Sequence, residues 1–139
     1  MIALEVKSLF YRYEDNHFSL KNISATIHEG DFVSIVGPNG SGKSTFLHLL
    51  SRVLTPDSGE ISLYKKRIDD YSFKTLAKHV ALVTQLFNLV FPITVRDLIL
   101  MGRYAWTGFL QSNSDSDNTI ANQMMELMSI SHLQNRSFE

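Results

Sequence analysis

Eight consecutive residues in the first third of the chain have the types and spacing that bind phosphate groups. They fit the pattern G-x-x-x-x-G-K-[ST] and run Gly37-Pro38-Asn39-Gly40-Ser41-Gly42-Lys43-Ser44. Glycines let the backbone curl so that successive N–H groups point at an anion, and a following helix N-terminus adds partial positive charge. The Lys43 ammonium can reach the β- and γ-phosphates, and the Ser44 hydroxyl can ligate Mg²⁺. The motif therefore predicts a site for a nucleoside triphosphate with Mg²⁺.

The elements predicted around this motif are the ones that its mechanism requires. Asp31–Val36 is typical of a short buried strand that ends at Gly37, and Lys43–Arg52 is predicted to be a helix with Phe46, Leu47, Leu49 and Leu50 on its apolar face. Ser72 is placed to cap a short helix over Phe73–Lys78. Further strands are predicted from alternation or apolar runs at Ile2–Tyr13, Ser19–Ile27, Glu60–Tyr64 and Val80–Val83.

The second half of the chain is predicted to be helical. Thr94 begins a helix to about Arg103, with Asp97 placed as in a capping box. We interpret Gln111–Thr119 as a polar loop with Asp115 and Asp117 solvated. A last helix is predicted over Thr119–Ser129, and its methionines are assigned to the core, namely Met124, Met125 and Met128.

These elements predict an α/β fold of the P-loop type. It would combine an antiparallel β-subdomain, part of a parallel core sheet and a helical subdomain. The expected domains are residues 1–90, with the P-loop, and residues 91–139, with the helices.

The composition argues against several classes of protein, among them nucleic-acid-binding, disulfide-bonded and membrane-spanning proteins. The 139 residues carry a net charge of −1 with 19% charged residues, so no electrostatic footprint for nucleic acid is visible. There is no cysteine, which excludes disulfides and thiolate metal sites, and the five histidines show no close-spaced ligand pattern. Met1–Leu9 has neither signal-peptide nor anchor character, and the apolar stretches are too short to cross a bilayer. We expect a soluble, intracellular protein.

The residues that flank the P-loop resemble one family, the ATP-binding subunits of ABC transporters. The similar segments keep the family's order and spacing and are Leu20–Ser24, Gly30–Phe32, Gly37–Thr45, Pro56–Ile61 and Ala81–Gln85. The resemblance implies that Tyr13 stacks on adenine, with Tyr11 as the alternative, and that the whole of Gly37–Thr45 binds ATP. It also implies that Gln85 contacts Mg²⁺ or the attacking water, so that Gln85 and Lys43 serve catalysis and Gln85 and Ser44 serve the metal.

A second region narrows the resemblance to a subgroup. Phe91–Leu98 and Met101–Tyr104 are similar to ATPases that import iron–siderophore complexes, haem or cobalamin, and also to those of zinc and manganese importers. The subgroup usually has proline where this chain has Ala105, and many members have a turn glycine where it has Lys65. The resemblance implies membrane permease subunits and a second ATPase subunit as partners, with the protein cytoplasmic and peripheral on the inner face of the cell membrane.

The family pattern is incomplete within these residues. ABC ATPases continue with a glycine-rich signature, a Walker B strand that ends in Asp-Glu, and a switch histidine, and none of these follows Gln85. The chain is therefore interpreted as a fragment that binds nucleotide but lacks the full hydrolytic site. Two alternatives remain open: another P-loop NTPase, such as a kinase or GTPase, and an interaction module that binds ATP without turnover.

Overall fold

A computed structural model describes residues 1–13, 19–85, 92–107 and 113–137. The chain divides into two compact units, Met1–Leu82 and Val83–Glu139, and each is described here by itself. The predicted domain boundary between residues 90 and 91 lies outside the described residues and stays a prediction. None of the described helices combines the length and the apolar character needed to traverse a bilayer.

The first unit is built on a four-stranded antiparallel sheet in the order β2-β1-β3-β4. Its strands are β1 (Ile2–Arg12), β2 (Ser19–His28), β3 (Ser58–Leu63) and β4 (Lys66–Arg67). Glu5 at the centre of β1 pairs with Thr26 of β2 on one side and Ser62 of β3 on the other. The three longer strands confirm the strands predicted from alternating side chains, to within two residues at each end.

One face of this sheet is covered by helix α1 (Lys43–Leu50) and by the chain that follows β4. Leu49 of α1 is fully buried. A short 3-10 helix, Ile68–Asp70, and helix α2 (Phe73–Leu76) contribute Ile68 and Leu76 to the same core, and the Ser72 hydroxyl accepts the Thr75 N–H at 3.1 Å as the predicted cap. The remaining buried members come from the strands: Val6, Leu9, Leu20, Ile61 and Leu63.

Two predicted buried strands are wrong for this structure. Asp31–Val36 and Val80–Val83 lie outside every strand, and no parallel pairing occurs among the described residues. Phe32, Val36 and Val83 are 96%, 88% and 95% exposed. An apolar β-run becomes a buried strand only when neighbouring strands and a covering layer reach it. Such neighbours are absent from the described residues.

The second unit contains α3 (Val95–Met101), α4 (Asp115–Leu127) and a 3-10 helix at Ser131–Leu133. Both α-helices begin with a reciprocal capping box, Thr94 with Asp97 and Ser114 with Asp117. The first of these was predicted and is confirmed. The start of α4 was placed four residues too late, because residues 115–119 were assigned to the polar loop.

Asp117 is not solvated as predicted: it is 5% exposed and forms an ion pair with Arg103, whose Nε donates to Oδ1 at 2.8 Å. Hydrogen bonds from the Ser114 hydroxyl and the Arg103 guanidinium hold the pKa of this carboxyl below its ordinary value. Arg103 also stacks over the Trp106 ring, 4.5 Å from its centroid. This cluster joins the end of α3 to the start of α4.

The methionines of α4 divide between core and surface. Met125 is buried, as predicted, on the face that also buries Asp117 and Ala121. Met124 and Met128 are exposed, so their predicted place in the core is wrong. Met124 is adjacent to Met125 and so points to a different side of the helix, and Met128 is the C-cap residue beyond the last turn.

Candidate functional site

The predicted phosphate loop is a glycine-bent turn that leads into α1. Gly40 and Gly42 have φ of +79° and +93°, in the left-handed region that glycine reaches without strain. Gly42 is the N-cap of α1, and no side chain caps the helix there. The first turn of α1 contains no acidic residue. Since the first N–H groups of a helix lack partners within it, this end of α1 can accept an anion.

Lys43 bends its side chain back over the loop. Its Nζ donates to the carbonyl oxygens of Gly37 at 3.0 Å and Pro38 at 2.8 Å. An ammonium group has three donors, so a third direction is available to a phosphate oxygen. Both present acceptors are neutral, and an anionic phosphate makes a stronger, charge-assisted bond. The structure therefore brings a cation and the α1 N-terminus together at one loop, as the motif predicts.

Ser44 and Thr45 follow Lys43 in the first turn of α1 and have different surroundings. Ser44 is exposed, whereas Thr45 is 8% exposed. A magnesium ion at a nucleotide takes one or two protein oxygens and completes its shell with phosphate oxygens and water. The exposed Ser44 hydroxyl fits that limited role. The buried Thr45 hydroxyl lies 3.4 Å from the hydroxyl of Tyr13.

Tyr13 follows the last residue of β1 and comes to the same helix end. Its ring lies edge-on to that of Tyr11, with centroids 5.0 Å apart and an interplanar angle of 84°. Tyr11 is partly buried against the core. The hydroxyl of Tyr13 thus meets Thr45, one residue beyond the phosphate loop motif, and the stacking of Tyr13 or Tyr11 on adenine stays a prediction.

The end of β1 is anchored by a turn that functional reasoning from the sequence missed. The Arg12 N–H donates to Asp57 Oδ2 at 2.7 Å, and the Asp57 N–H donates to the Phe10 carbonyl at 3.0 Å. Gly59, two residues on, has a φ of +93° and lies directly against the backbone of β1. Pro56–Ile61 is among the segments that resemble the family, but its position against the end of β1 depends on strand pairing that the sequence does not display.

Gln85 is exposed and belongs to the second unit, immediately before residues that the structure does not describe. Its predicted roles in catalysis and metal binding therefore stay predictions. Within the described ranges no group of three or more His, Asp or Glu side chains is arranged to hold a metal ion. Of the two predicted metal ligands, Ser44 and Gln85, Ser44 is the one with described residues on both sides of it in the chain.

Comparison with known proteins gives the site a family context. The family model described as "ABC transporter" matches residues 20–139. The haemin import ATP-binding protein HmuV of Escherichia coli O157:H7 is 36% identical over 135 residues, 97% of this chain and 50% of that protein. The ferric enterobactin transport ATP-binding protein FepC of Escherichia coli K12 is 34% identical over 119 residues, 86% of this chain and 44% of that protein. The chain thus spans about half the length of these relatives.

Solved structures agree with the sequence relatives on the fold. An ABC transporter described as of the metal-chelate type, in an inward-facing conformation, superposes with a TM-score of 0.79 at 28% identity, over 99% of this chain and 49% of that one. A dimeric ATP-binding cassette in a post-hydrolysis state with ADP and Pi gives 0.79 at 25% identity, over 96% of this chain and 61% of that one. The fold is that of the P-loop ATP-binding domains, as predicted from the motif and its flanking segments.

Proposed function

The chain belongs to the ABC transporter family, and on that premise we propose that it forms the nucleotide-binding part of an importer ATPase. The observation that carries the proposal is the loop at Gly37–Ser44, where the Lys43 ammonium and the uncapped start of α1 face the same turn. The ligand is ATP with Mg²⁺, the pair that the motif itself predicts.

Each residue of the loop has a definable task toward that ligand. The N–H groups at the start of α1 and in the glycine turn bind phosphate oxygens, and Lys43 exchanges two neutral carbonyl partners for charged ones. Ser44 supplies one oxygen to Mg²⁺. Tyr13 stacks on the adenine, which contributes about 1–3 kcal/mol by analogy with base stacking on aromatic side chains. Bound ATP supplies the free energy that drives closure of two ATPase subunits.

Catalysis requires more than these residues provide. Lys43 stabilises charge on the phosphates, and Gln85 orients the attacking water, but a carboxylate must also polarise that water. The Asp97 carboxylate is engaged in the capping box of α3, where Thr94 donates to it. We infer that residues 1–139 bind Mg-ATP without hydrolysing it above background, and a phosphate-release assay tests this. Turnover abolished by Lys43→Ala would contradict it.

The cargo class follows from the relatives' names. Haemin, ferric enterobactin and petrobactin import are named for three relatives that are 34–36% identical to this chain. We therefore propose uptake of an iron complex or haem, with cobalamin or a metal ion as the wider class. The partners are permease subunits and a second ATPase subunit, at the inner face of the cell membrane. No nucleic acid is expected, since the net charge is −1.

Cross-linking tests the partner. Tyr104, at the end of the segment that resembles the importer subgroup, is 74% exposed. A cysteine at that position in the full importer should cross-link to a membrane subunit. Leu89, a second position for the same test, lies outside the described residues. Cross-links confined to soluble proteins would sink the importer assignment while leaving nucleotide binding intact.

Isothermal titration with Mg-ATP tests nucleotide binding itself. Lys43→Ala should weaken binding about 10- to 100-fold, since a hydrogen bond to a charged group is worth about 1.5–3 kcal/mol. Lys21→Ala removes the same charge from an exposed position of β2 and serves as the matched control. Equal affinity for the wild type and Lys43→Ala would refute the phosphate assignment.

A further inference from the structure

Residues 64–79, called here the basic surface, concentrate positive charge in an otherwise acidic chain. They contain four lysines and one arginine but only two aspartates, a surplus of three positive charges. Because the whole chain has a net charge of −1, the remaining residues together carry an excess of negative charge. The lysines are exposed and lie in the turn after β3, in β4, in α2 and just beyond α2: Lys65, Lys66, Lys74 and Lys78. Such an asymmetry suits an anionic partner.

Aromatic rings bring the two halves of the basic surface together. The Lys66 ammonium lies 4.6 Å from the centroid of the Tyr71 ring. The His79 ring contacts the rings of Tyr64 and Tyr71, with centroids 6.0 Å apart in each case. The β3–β4 turn and the segment that follows α2 are therefore neighbours. Lysines that are up to 13 positions apart in the sequence thus belong to one region of the first unit.

The arginine of the basic surface is already engaged by carboxylates. Arg67 forms ion pairs with Glu60 and Asp69, with N–O distances of 3.6 and 3.5 Å. A further cation borders the surface, since the Arg52 guanidinium stacks 4.5 Å from the centroid of the Phe73 ring. The attraction for an anion therefore comes mainly from the lysines, whose ammonium groups are compact point charges.

The turn between β3 and β4 is conformationally strained. Leu63 pairs with Lys66, so Tyr64 and Lys65 form a two-residue turn, and their φ values are 48° and 63°. Turns of this kind usually contain Asn-Gly, because glycine reaches the left-handed region without strain. Tyr64 is 42% exposed, so burial does not explain an aromatic residue there. Strain that persists without a packing reason points to a function for the two side chains.

The chemistry of the basic surface fits the headgroup region of an anionic membrane. Lysines are attracted by its negative surface potential, and exposed aromatic side chains lie at the level of the headgroups. Phe73, next to Lys74, is 70% exposed and adds apolar area to the tyrosine of the turn. We propose that the basic surface binds anionic phospholipid headgroups directly, apart from any contact with a permease. A nucleic acid fits less well, because a long polyanion also meets the acidic remainder of the chain.

Co-flotation with lipid vesicles tests the proposal on residues 1–139 in the absence of nucleotide. Vesicles of phosphatidylcholine and phosphatidylglycerol in equal parts should carry about tenfold more of the chain, or better, than vesicles of phosphatidylcholine alone. Self-associated chain sediments instead of floating and so does not count as binding. Salt at about 1 M shortens the Debye length to about 3 Å and should release the chain. Because neither ATP nor a permease is present, a failure of the proposed function would leave this test unaffected.

Two matched double variants assign the binding to the basic surface. Lys74→Gln with Lys78→Gln removes two charges from it, and Lys21→Gln with Arg136→Gln removes two charges from exposed positions elsewhere. Each lysine near an anionic membrane contributes about fivefold to the affinity, so the first pair should weaken binding about 25-fold. The control pair should leave binding nearly unchanged, and circular dichroism checks that both variants are folded.

Three results would overturn the proposal. The first is equal binding to the neutral and the anionic vesicles, which needs no variant to observe. The second is an equal loss of binding in the two double variants. The third is tighter binding to single-stranded RNA or to a detergent-solubilised permease than to anionic vesicles, with that binding lost in the Lys74→Gln, Lys78→Gln variant. This last result would make another macromolecule the partner of the basic surface.

Discussion

Replacing Gly59 with alanine should loosen β1, the strand that leads directly to Tyr13. Gly59 is the second residue of β3 and has a φ of +93°. A Cβ at this position would lie 2.6 Å from the Ser8 carbonyl oxygen, 2.7 Å from the Leu9 Cα and 2.7 Å from the Lys7 carbonyl oxygen. All three atoms are backbone of β1. No side-chain rotation can relieve such contacts, so β1 itself must move.

The expected loss of folding stability in Gly59→Ala has two parts. A non-glycine residue in the left-handed region costs about 1–2 kcal/mol. Forcing an additional carbon into filled space costs about 1–3 kcal/mol more. Together these subtract about 2–5 kcal/mol from a domain stability that is typically only about 5–15 kcal/mol. The same displacement should disturb the Arg12–Asp57 anchor and lower the affinity for ATP.

Gly30→Ala is the matched control, because Gly30 has a φ of +82° but nothing within 4 Å of its added Cβ. Gly30→Ala should lower the stability only by the cost of the left-handed backbone conformation, about 1–2 kcal/mol. Hydrogen exchange of the β1 amides measures the local opening free energy, and each 1.4 kcal/mol is a factor of ten. The amides should exchange about 5- to 140-fold faster in Gly59→Ala than in Gly30→Ala, which corresponds to the second part of about 1–3 kcal/mol. Equal rates in the two variants would refute the steric argument.

Three further predictions concern a turn, an ion pair and the solution state. Tyr64 and Lys65 join β3 to β4 with φ of 48° and 63°. Lys65→Gly should therefore relieve backbone strain and stabilise the chain by about 1 kcal/mol, measured as a higher thermal midpoint. An unchanged midpoint would show that the turn is unstrained. The pKa of Asp117 is lowered on folding from its ordinary value of 3.8, so its stabilising contribution is present above that pH and disappears as the pH falls through the lower folded value. Asp117→Asn should remove this pH-dependent part of the folding stability. It should also lower the stability at neutral pH, because Arg103 keeps its charge without a carboxylate. An unchanged acid titration of the helical circular dichroism would contradict this. Residues 1–139 alone should self-associate in light scattering through the exposed Phe32–Val36 run, and a monodisperse monomer with a sharp cooperative melt would contradict this.

The sequence predicted the elements whose signals are local. Alternation in β1 and β2 needs only a two-residue period, and the caps at Ser72 and Thr94 act within one helical turn. The phosphate-loop motif is likewise a local signal, because the residues that define it are consecutive in the sequence. These parts appear in the structure close to their predicted bounds.

The failures share a non-local cause. The Phe32–Val36 and Val80–Val83 runs have strand propensity, but a strand forms only with a paired neighbour, which no local pattern supplies. Asp117 was assigned to a loop because of its polar surroundings, although Ser114 three residues before it is a capping-box signal that could have placed the start of α4. Its ion pair with Arg103 spans 14 residues and depends on how two helices pack.

The central claim is that the Gly37–Ser44 loop binds the phosphates of a nucleotide through Lys43 and the start of α1. Isothermal titration of Mg-ATP, magnesium pyrophosphate and adenosine, with wild type and Lys43→Ala, tests it most directly. The account predicts that ATP and pyrophosphate bind and that Lys43→Ala weakens both about 10- to 100-fold. It predicts that whatever affinity adenosine shows is insensitive to the change. ATP affinity unaltered by Lys43→Ala, or adenosine bound as tightly as ATP, would contradict the account.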